Sequence, residues 1–233
     1  MNTIGIIGAM DVEIEQIKQK MDIATTKHTV GTDFYIGKMG GKSVILVRCG
    51  IGKVNAALCT QAMIDLFAAD YCINTGVAGA LNPALEIGDI VVSRDAVQHD
   101  LDCGVFDYPK GLVPGLNMRF FEADESLSAM ALSAGRDVLP DDIHILAGRI
   151  ASGDQFISDG HIKTSISRDT SADCVEMEGA AIAQACWLNK IPFVIIRAIS
   201  DKADGSADHN FEAFVHMAAA RSATLVEAIV HRL

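Results

Sequence analysis

Four carboxylates stand where the chain leaves a buried apolar run for a loop or helix: Glu13 in GAMDVE, Glu176 and Glu178 in VEMEG, and Asp201 in RAISD. A lone acid in such a place usually caps a helix or is solvated. Acids from three separate strand ends are a different matter, because in α/β sheets the loops and helix N-termini converge at the carboxyl ends of the strands. Two carboxylates facing one bond suit glycoside hydrolysis: one protonates the leaving group while the other deprotonates water, as an oxocarbenium-like sugar cation forms. A third carboxylate can accept both hydroxyls of a ribose diol. The acid role demands that a carboxyl group keep its proton near neutrality, well above the ordinary Asp value of about 3.9, which burial beside other carboxylates supplies.

Other motifs carry less. CGIGKVNA (49–56) lacks the spacing of a Walker loop, and Asn55 stands where a dinucleotide fingerprint has its third glycine, so its glycines read as a tight turn shaping a pocket wall. NTGVAGAL (74–81) sets Gly76 and Gly79 after a buried strand, where backbone N–H groups can face a ligand. HDLD (99–102) has no second ligand cluster, so no metal is expected there, and SADHNF reads the same way.

The elements that must position these residues follow from periodicity. TIGIIGA (3–9), YCINTGVAGAL (71–81) and IPFVIIRAISD (191–201) are apolar runs of buried strands, and DFYIGKMGGKSVILVRCG (33–50) is a hairpin turning at Gly40-Gly41. Helical spacing covers 10–21, 52–67, 125–138 and 211–233, while 87–100 and 143–157 are strand-like. VEMEGAAIAQAC (175–186) is a strand end running into an alanine-rich helix, and 103–121 is a loop with glycines, prolines and aromatics. The alternation predicts an α/β sheet, mostly parallel, layered between helices. No linker interrupts the 233 residues, so one domain spanning 1–233 is expected.

Composition narrows the partners. A net charge of −11 argues against nucleic-acid backbones and anionic membranes, which need clustered Lys and Arg. Hydrophobic content of 50% predicts a sheet covered on both faces and a homo-oligomeric interface. Six scattered cysteines without a CxxC pair read as reduced core thiols, and IGIIGAM is too short for a membrane span and lacks the basic start of a signal peptide, so a cytoplasmic protein is expected.

Taken together and in order, GIIGAMDVEIE, CGIGKVNAA, NTGVAGAL, ASGDQFI, VEMEGAAIA and RAISDKAD resemble the bacterial 5′-methylthioadenosine/S-adenosylhomocysteine nucleosidases, within the wider nucleoside phosphorylase and hydrolase fold. The resemblance implies a three-layer α/β fold with a central twisted mixed sheet. It also implies hydrolysis of the N-glycosidic bond of these substrates and of 5′-deoxyadenosine to adenine and a 5-substituted ribose, with no cofactor and no metal. Glu13 matches the residue that activates water, Asp201 the one that protonates purine N7, and Ser200 its support. Glu178 matches the ribose-hydroxyl acceptor with Met177 packed on the sugar, and Glu176 orients neighbours such as Arg197. Phe156 would stack on adenine and the backbone of Ile157 read its edge. Val77, Ala78 and Gly79 would lie along the sugar side, and Met10, Ile51 and Phe211 match the apolar slot for the 5′-alkylthio group. Cys103, Phe106 and Pro114 match loop positions that cover the pocket of a neighbouring subunit in a homodimer.

Two positions depart from the family pattern: Val77 stands where many members carry serine, and Cys103 where valine is common. Neither removes a proposed catalytic acid. The fold also hosts phosphorylases, but a phosphate dianion beside anionic Glu13 and hydroxyl-free Val77 would be repelled, which favours water as the nucleophile. A non-catalytic nucleoside sensor would have lost Glu13 or Asp201, and both are present. A hydrolase for aminodeoxyfutalosine differs only in the width of the 5′ slot.

Overall fold

A run of apolar residues at the start of the chain forms strand β1 (Thr3–Gly8), and the computed structural model describes residues 2–233. After β1 come helix α1 (Asp11–Gln19), strands β2 (Asp22–Thr29), β3 (Thr32–Met39) and β4 (Lys42–Arg48), helix α2 (Lys53–Phe67), and strands β5 (Tyr71–Ala80) and β6 (Ile90–Gln98). A loop with one 3-10 turn (Gly104–Phe106) leads to the two-residue strand β7 (Phe121–Glu122) and helix α3 (Glu125–Val138). Strand β8 (Ile145–Ser152), helix α4 (Gly160–Thr170), strand β9 (Cys174–Glu176), helix α5 (Gly179–Asn189), strand β10 (Phe193–Asp201) and helix α6 (Ala207–Arg232) complete the chain.

The strands form one sheet in the order β10-β6-β8-β9-β5-β1-β4-β3-β2, with β7 on β6. Because β10 pairs with β5 as well as with β6, the strands β5, β10, β6, β8 and β9 close into a ring. Pairing is mixed. β1–β4, β1–β5, β5–β10, β6–β8 and β8–β9 run parallel, whereas β2–β3, β3–β4, β5–β9, β6–β7 and β6–β10 run antiparallel. The expected predominance of parallel strands therefore holds for the core strands and fails at the hairpin end and where the ring closes.

Apolar packing fixes this arrangement on both faces. One layer of core joins α2 and α5 to the sheet through residues such as Ala56, Met63, Ile182 and Ile195, and the other joins α1, α3 and α6 through Ile14, Ala131, Val226 and Ile196. Burying each Ile or Val contributes about 1.5–3 kcal/mol. Helix α6 is long and apolar enough to cross a membrane by length and composition, yet half of its apolar window is buried inside the protein, against β5, β10, α1 and α3. Its apolarity is that of a core helix. The six cysteines are unpaired, five of them buried and Cys103 half-buried.

One irregularity bears directly on function. Along the β10–β5 pairing Ile199 faces Ala78 but Asp201 faces Gly79, so Ser200 is an extra residue on its strand. Such a bulge breaks the strict alternation of a strand and re-aims the side chains beside it.

Candidate active site

The bulge, the end of β1 and the β9–α5 junction open onto a single cavity. Its walls hold Glu13, Glu178, Ser200 and Asp201, with Glu176 behind them, and the apolar side chains of Met10, Ile51, Val77, Met177, Phe156 and Phe211. Ala9, Ala78, Gly79 and Val175 complete the lining. Ile157 borders an adjoining recess shared with Phe156, Met177 and Asp201. Sequence reasoning missed Ala9 and Val175, whose small or strand-like character carries no chemical signal.

Glu13 is both helix cap and pocket acid. It sits in the first turn of α1, is 4% exposed, and accepts backbone N–H bonds from Ala9 at 2.7 Å, Met10 at 2.9 Å and Val77 at 3.0 Å. Burial nevertheless raises its pKa above the ordinary carboxylate value, against the opposing pull of Arg197 and those three N–H groups. Gly76 makes the approach possible, since a Cβ there would lie 2.4 Å from Glu13 Oε1 and 2.9 Å from an Arg197 nitrogen. Gly79 does the same for Asp201, whose Oδ1 would be 2.7 Å from an added Cβ. These glycines were expected to bare the backbone to a ligand. They instead make room for the protein's own acids, and the Val77 N–H is taken by Glu13.

Asp201 accepts the Ser200 hydroxyl at 2.9 Å and the Ala203 N–H at 2.8 Å. Its pKa is raised, burial outweighing both bonds. The bulge is what lets neighbouring Ser200 and Asp201 share one side of the strand, and nothing in the sequence marks it.

The two glutamates of VEMEG divide their labour. Glu176 pairs with buried Arg197 through the guanidinium and accepts the Ser152 hydroxyl and the N–H groups of Glu178 at 3.0 Å and Gly179 at 2.8 Å. Burial opposes its ionisation, but Arg197 and these donors overcome it and its pKa is lowered. Arg197 is held in turn by Asn74 Oδ1 at 2.6 Å, so its charge faces the acids from behind and does not line the cavity. Glu178 takes one N–H, that of Gly52 at 2.7 Å, and its pKa is pushed up to about 8 by burial and then by the charge of Glu176. Sequence reasoning expected a raised pKa on Asp201; those of Glu13 and Glu178 are raised as well.

Three predicted site residues lie elsewhere. Phe106 is 72% exposed, Pro114 is exposed and Cys103 is half-buried, all on the 103–118 loop outside this chain's own cavity. On the cavity wall Phe156 and Phe211 meet edge to face with centroids 5.7 Å apart.

The model of the phosphorylase superfamily matches residues 3–231. A 5′-methylthioadenosine/S-adenosylhomocysteine nucleosidase of Anoxybacillus flavithermus is 41% identical over 99% of this chain and 98% of its own length. The crystal structure of the nucleosidase of the same name from Neisseria meningitidis, in complex with methylthio-immucillin-A, superposes with a TM-score of 0.96 at 40% identity, covering 100% of both chains. A futalosine hydrolase of Helicobacter pylori superposes with a TM-score of 0.94 at 36% identity over 100% of this chain and 98% of that one. The chain belongs to the phosphorylase superfamily and, within it, to the family of 5′-methylthioadenosine/S-adenosylhomocysteine nucleosidases.

Two outcomes follow from the packing and charge of the site. Gly76→Ala is expected to displace Glu13, lowering kcat at least about tenfold and stability by about 1–3 kcal/mol, the usual cost of overpacking; wild-type rates in that variant would contradict the close approach. The raised acids bind protons in the folded state that the unfolded chain releases, so stability falls as pH rises. Between pH 6.5, below which neutral buried His99 opposes the trend, and the Glu178 value of about 8, the melting temperature is expected to drop with rising pH, and Glu178→Gln is expected to flatten that slope.

Proposed function

We propose that this protein hydrolyses the N-glycosidic bond of 5′-methylthioadenosine and S-adenosylhomocysteine, and of 5′-deoxyadenosine, releasing adenine and the 5-substituted ribose. The observation that carries the reading is the meeting of Glu13, Glu178 and Asp201 in one cavity whose other walls are largely apolar. Adenine stacks on Phe156, with its edge toward the backbone of Ile157. Asp201, whose pKa burial raises and whose carboxyl group Ser200 aligns, gives a proton to N7 as the bond to the sugar breaks. Glu13, ionised, takes a proton from the attacking water, and its elevated pKa makes it a stronger base than an exposed glutamate. Glu178 accepts the ribose hydroxyls while Met177 packs on the sugar, and the alkylthio group lies along Met10, Ile51 and Phe211. Glu176 and Arg197 stay in place as the fixed ion pair behind the sugar.

Water is favoured over phosphate as the nucleophile by charge. Among the described residues the cavity walls carry four carboxylates and no Lys, Arg or His, so a phosphate dianion would enter an anionic site with no cation to receive it. The similarity to a futalosine hydrolase supports a second substrate at the same site. Ile51 at the 5′ end is 53% exposed, which leaves a way out for a bulkier 5′ group such as that of aminodeoxyfutalosine.

The whole chain, 1–233, acts as one catalytic domain in a cytoplasmic homodimer. Support for the dimer comes from apolar side chains presented outward: Val54 at 70% and Leu58 at 53% exposed on α2, Leu188 at the end of α5, and Val105 and Phe106 on the 103–118 loop. In the dimer Cys103, Phe106 and Pro114 cover the 5′ end of the neighbour's pocket.

Incubation with 5′-methylthioadenosine, with and without phosphate, tests the reaction. Free methylthioribose at the same rate in both is expected, and a phosphate-dependent sugar 1-phosphate would overturn hydrolysis. Asp201→Asn should cut kcat by about 10²–10⁴, the usual worth of a general acid, while substrate still binds; turnover near the wild-type rate would remove Asp201 from the acid role.

A further inference from the structure

The motifs CGIGKV and HDLD, distant along the chain, are joined by a closed set of hydrogen bonds. Gly52, with φ of 97°, is in a conformation that favours glycine, and α2 begins directly after it. The first N–H groups of that helix have no local cap. They are taken by carboxylates from far along the chain: Gly52 N–H by Glu178 at 2.7 Å and Lys53 N–H by Asp154 at 2.8 Å. The Lys53 ammonium turns back to Asp100 Oδ1 at 2.6 Å and Gln98 Oε1 at 3.0 Å, and the other Asp100 oxygen accepts the Asp154 N–H at 2.9 Å. The circuit from Lys53 to Asp154 to Asp100 and back to Lys53 is complete.

We propose that Lys53, Asp100 and Asp154 form a positioning clamp that holds the sugar-gripping and base-stacking walls of the pocket in register. This inference rests on the reading of the cavity as an adenine nucleoside site. One arm of the clamp is the Ile51–Lys53 turn, which carries an apolar 5′ contact and the N–H that orients Glu178. The second is the loop after β8, where Phe156 follows Asp154 by two residues. The third is the end of β6, anchored to α5 through a 2.6 Å bond between Gln98 and Gln184. Burial and charge both favour a fixed geometry here, since Lys53 and Asp100 are largely buried and the ammonium makes two charge-assisted bonds that hold its position. The two acids of the chemical step stand outside the circuit, since Glu13 is held by Ala9, Met10 and Val77, and Asp201 by Ser200 and Ala203. Loosening the clamp therefore acts on binding of ribose and base more than on the bond-breaking step.

The test compares wild type with Lys53→Met, Asp100→Asn and the conservative Lys53→Arg, measuring kcat and KM on 5′-methylthioadenosine and amide hydrogen exchange of the free proteins. For Lys53→Met and Asp100→Asn, KM is expected to rise about tenfold with kcat within about threefold, the pattern of a lost ground-state grip. Lys53→Arg is expected to restore most of the affinity. Exchange is expected to quicken at the 49–53 and 153–157 segments and to stay unchanged at α1 and β10. An unaltered KM, or a fall in kcat alone, overturns the clamp. Should wild type fail to cleave nucleosides, the functional reading fails, and exchange still decides the clamp: faster exchange at both segments supports it and unchanged exchange at both refutes it. Asp100→Asn keeps the size of the side chain and one acceptor, so it carries the same readouts should Lys53→Met not fold.

Discussion

One buried guanidinium facing several buried carboxylates is the constraint on which the rest of the structure turns. Arg197 is 2% exposed and is committed to Glu176 and Asn74. Its charge is sufficient for one full ion pair, and Glu176 takes that place. Like charges 4 Å apart repel by about 4 kcal/mol at an effective dielectric constant of 20, so a further acid beside Glu176 is pushed toward its protonated form, as Glu178 is. Glu13, Glu178 and Asp201 lie outside that ion pair, and burial raises the pKa of each, with the charge of Glu176 adding to it at Glu178. An ordinary core would discard such groups. Here they meet in one cavity.

Keeping them costs the fold specific accommodations, each visible in the backbone. Gly76 and Gly79 leave space for carboxylate oxygens, the extra residue in β10 turns Ser200 and Asp201 to the same side, and the Ala9–Met10 segment just before α1 presents its N–H groups to Glu13. The closed ring of β5, β10, β6, β8 and β9 supplies rigidity, because a strand bonded on both sides cannot swing its end away from the pocket. Rigid supports of this kind are what positioning of catalytic groups requires.

Much of this was legible in the sequence, and the reasons are local. Apolar runs such as FVIIRAIS and the spacing of helix α3 identify buried elements because burial on two faces or one stripe leaves a period. The acids were legible because a carboxylate at a strand end stands out against apolar neighbours. Strand β2 and helix α4 were not: DIATTKHT is exposed or half-buried throughout, and GHIKTSISRDT buries only Ile166 and Thr170, so neither carries a strong apolar signal. The bulge at Ser200 and the ring closure depend on long-range pairing that no local pattern encodes. The Lys53–Asp100–Asp154 contacts, 47 and 101 residues apart along the chain, were hidden for the same reason.

The segment Gly76-Val77-Ala78-Gly79 has a consequence for how such a pocket can diversify. Its two outer positions are closed to any side chain, because the volume a methyl group would fill already holds an oxygen of Glu13 or Asp201. Between them Val77 and Ala78 also line the cavity. Substitution along this wall is thus confined to two adjacent positions between fixed posts, Val77 among them, where a side chain can be exchanged without taking the space of an acid.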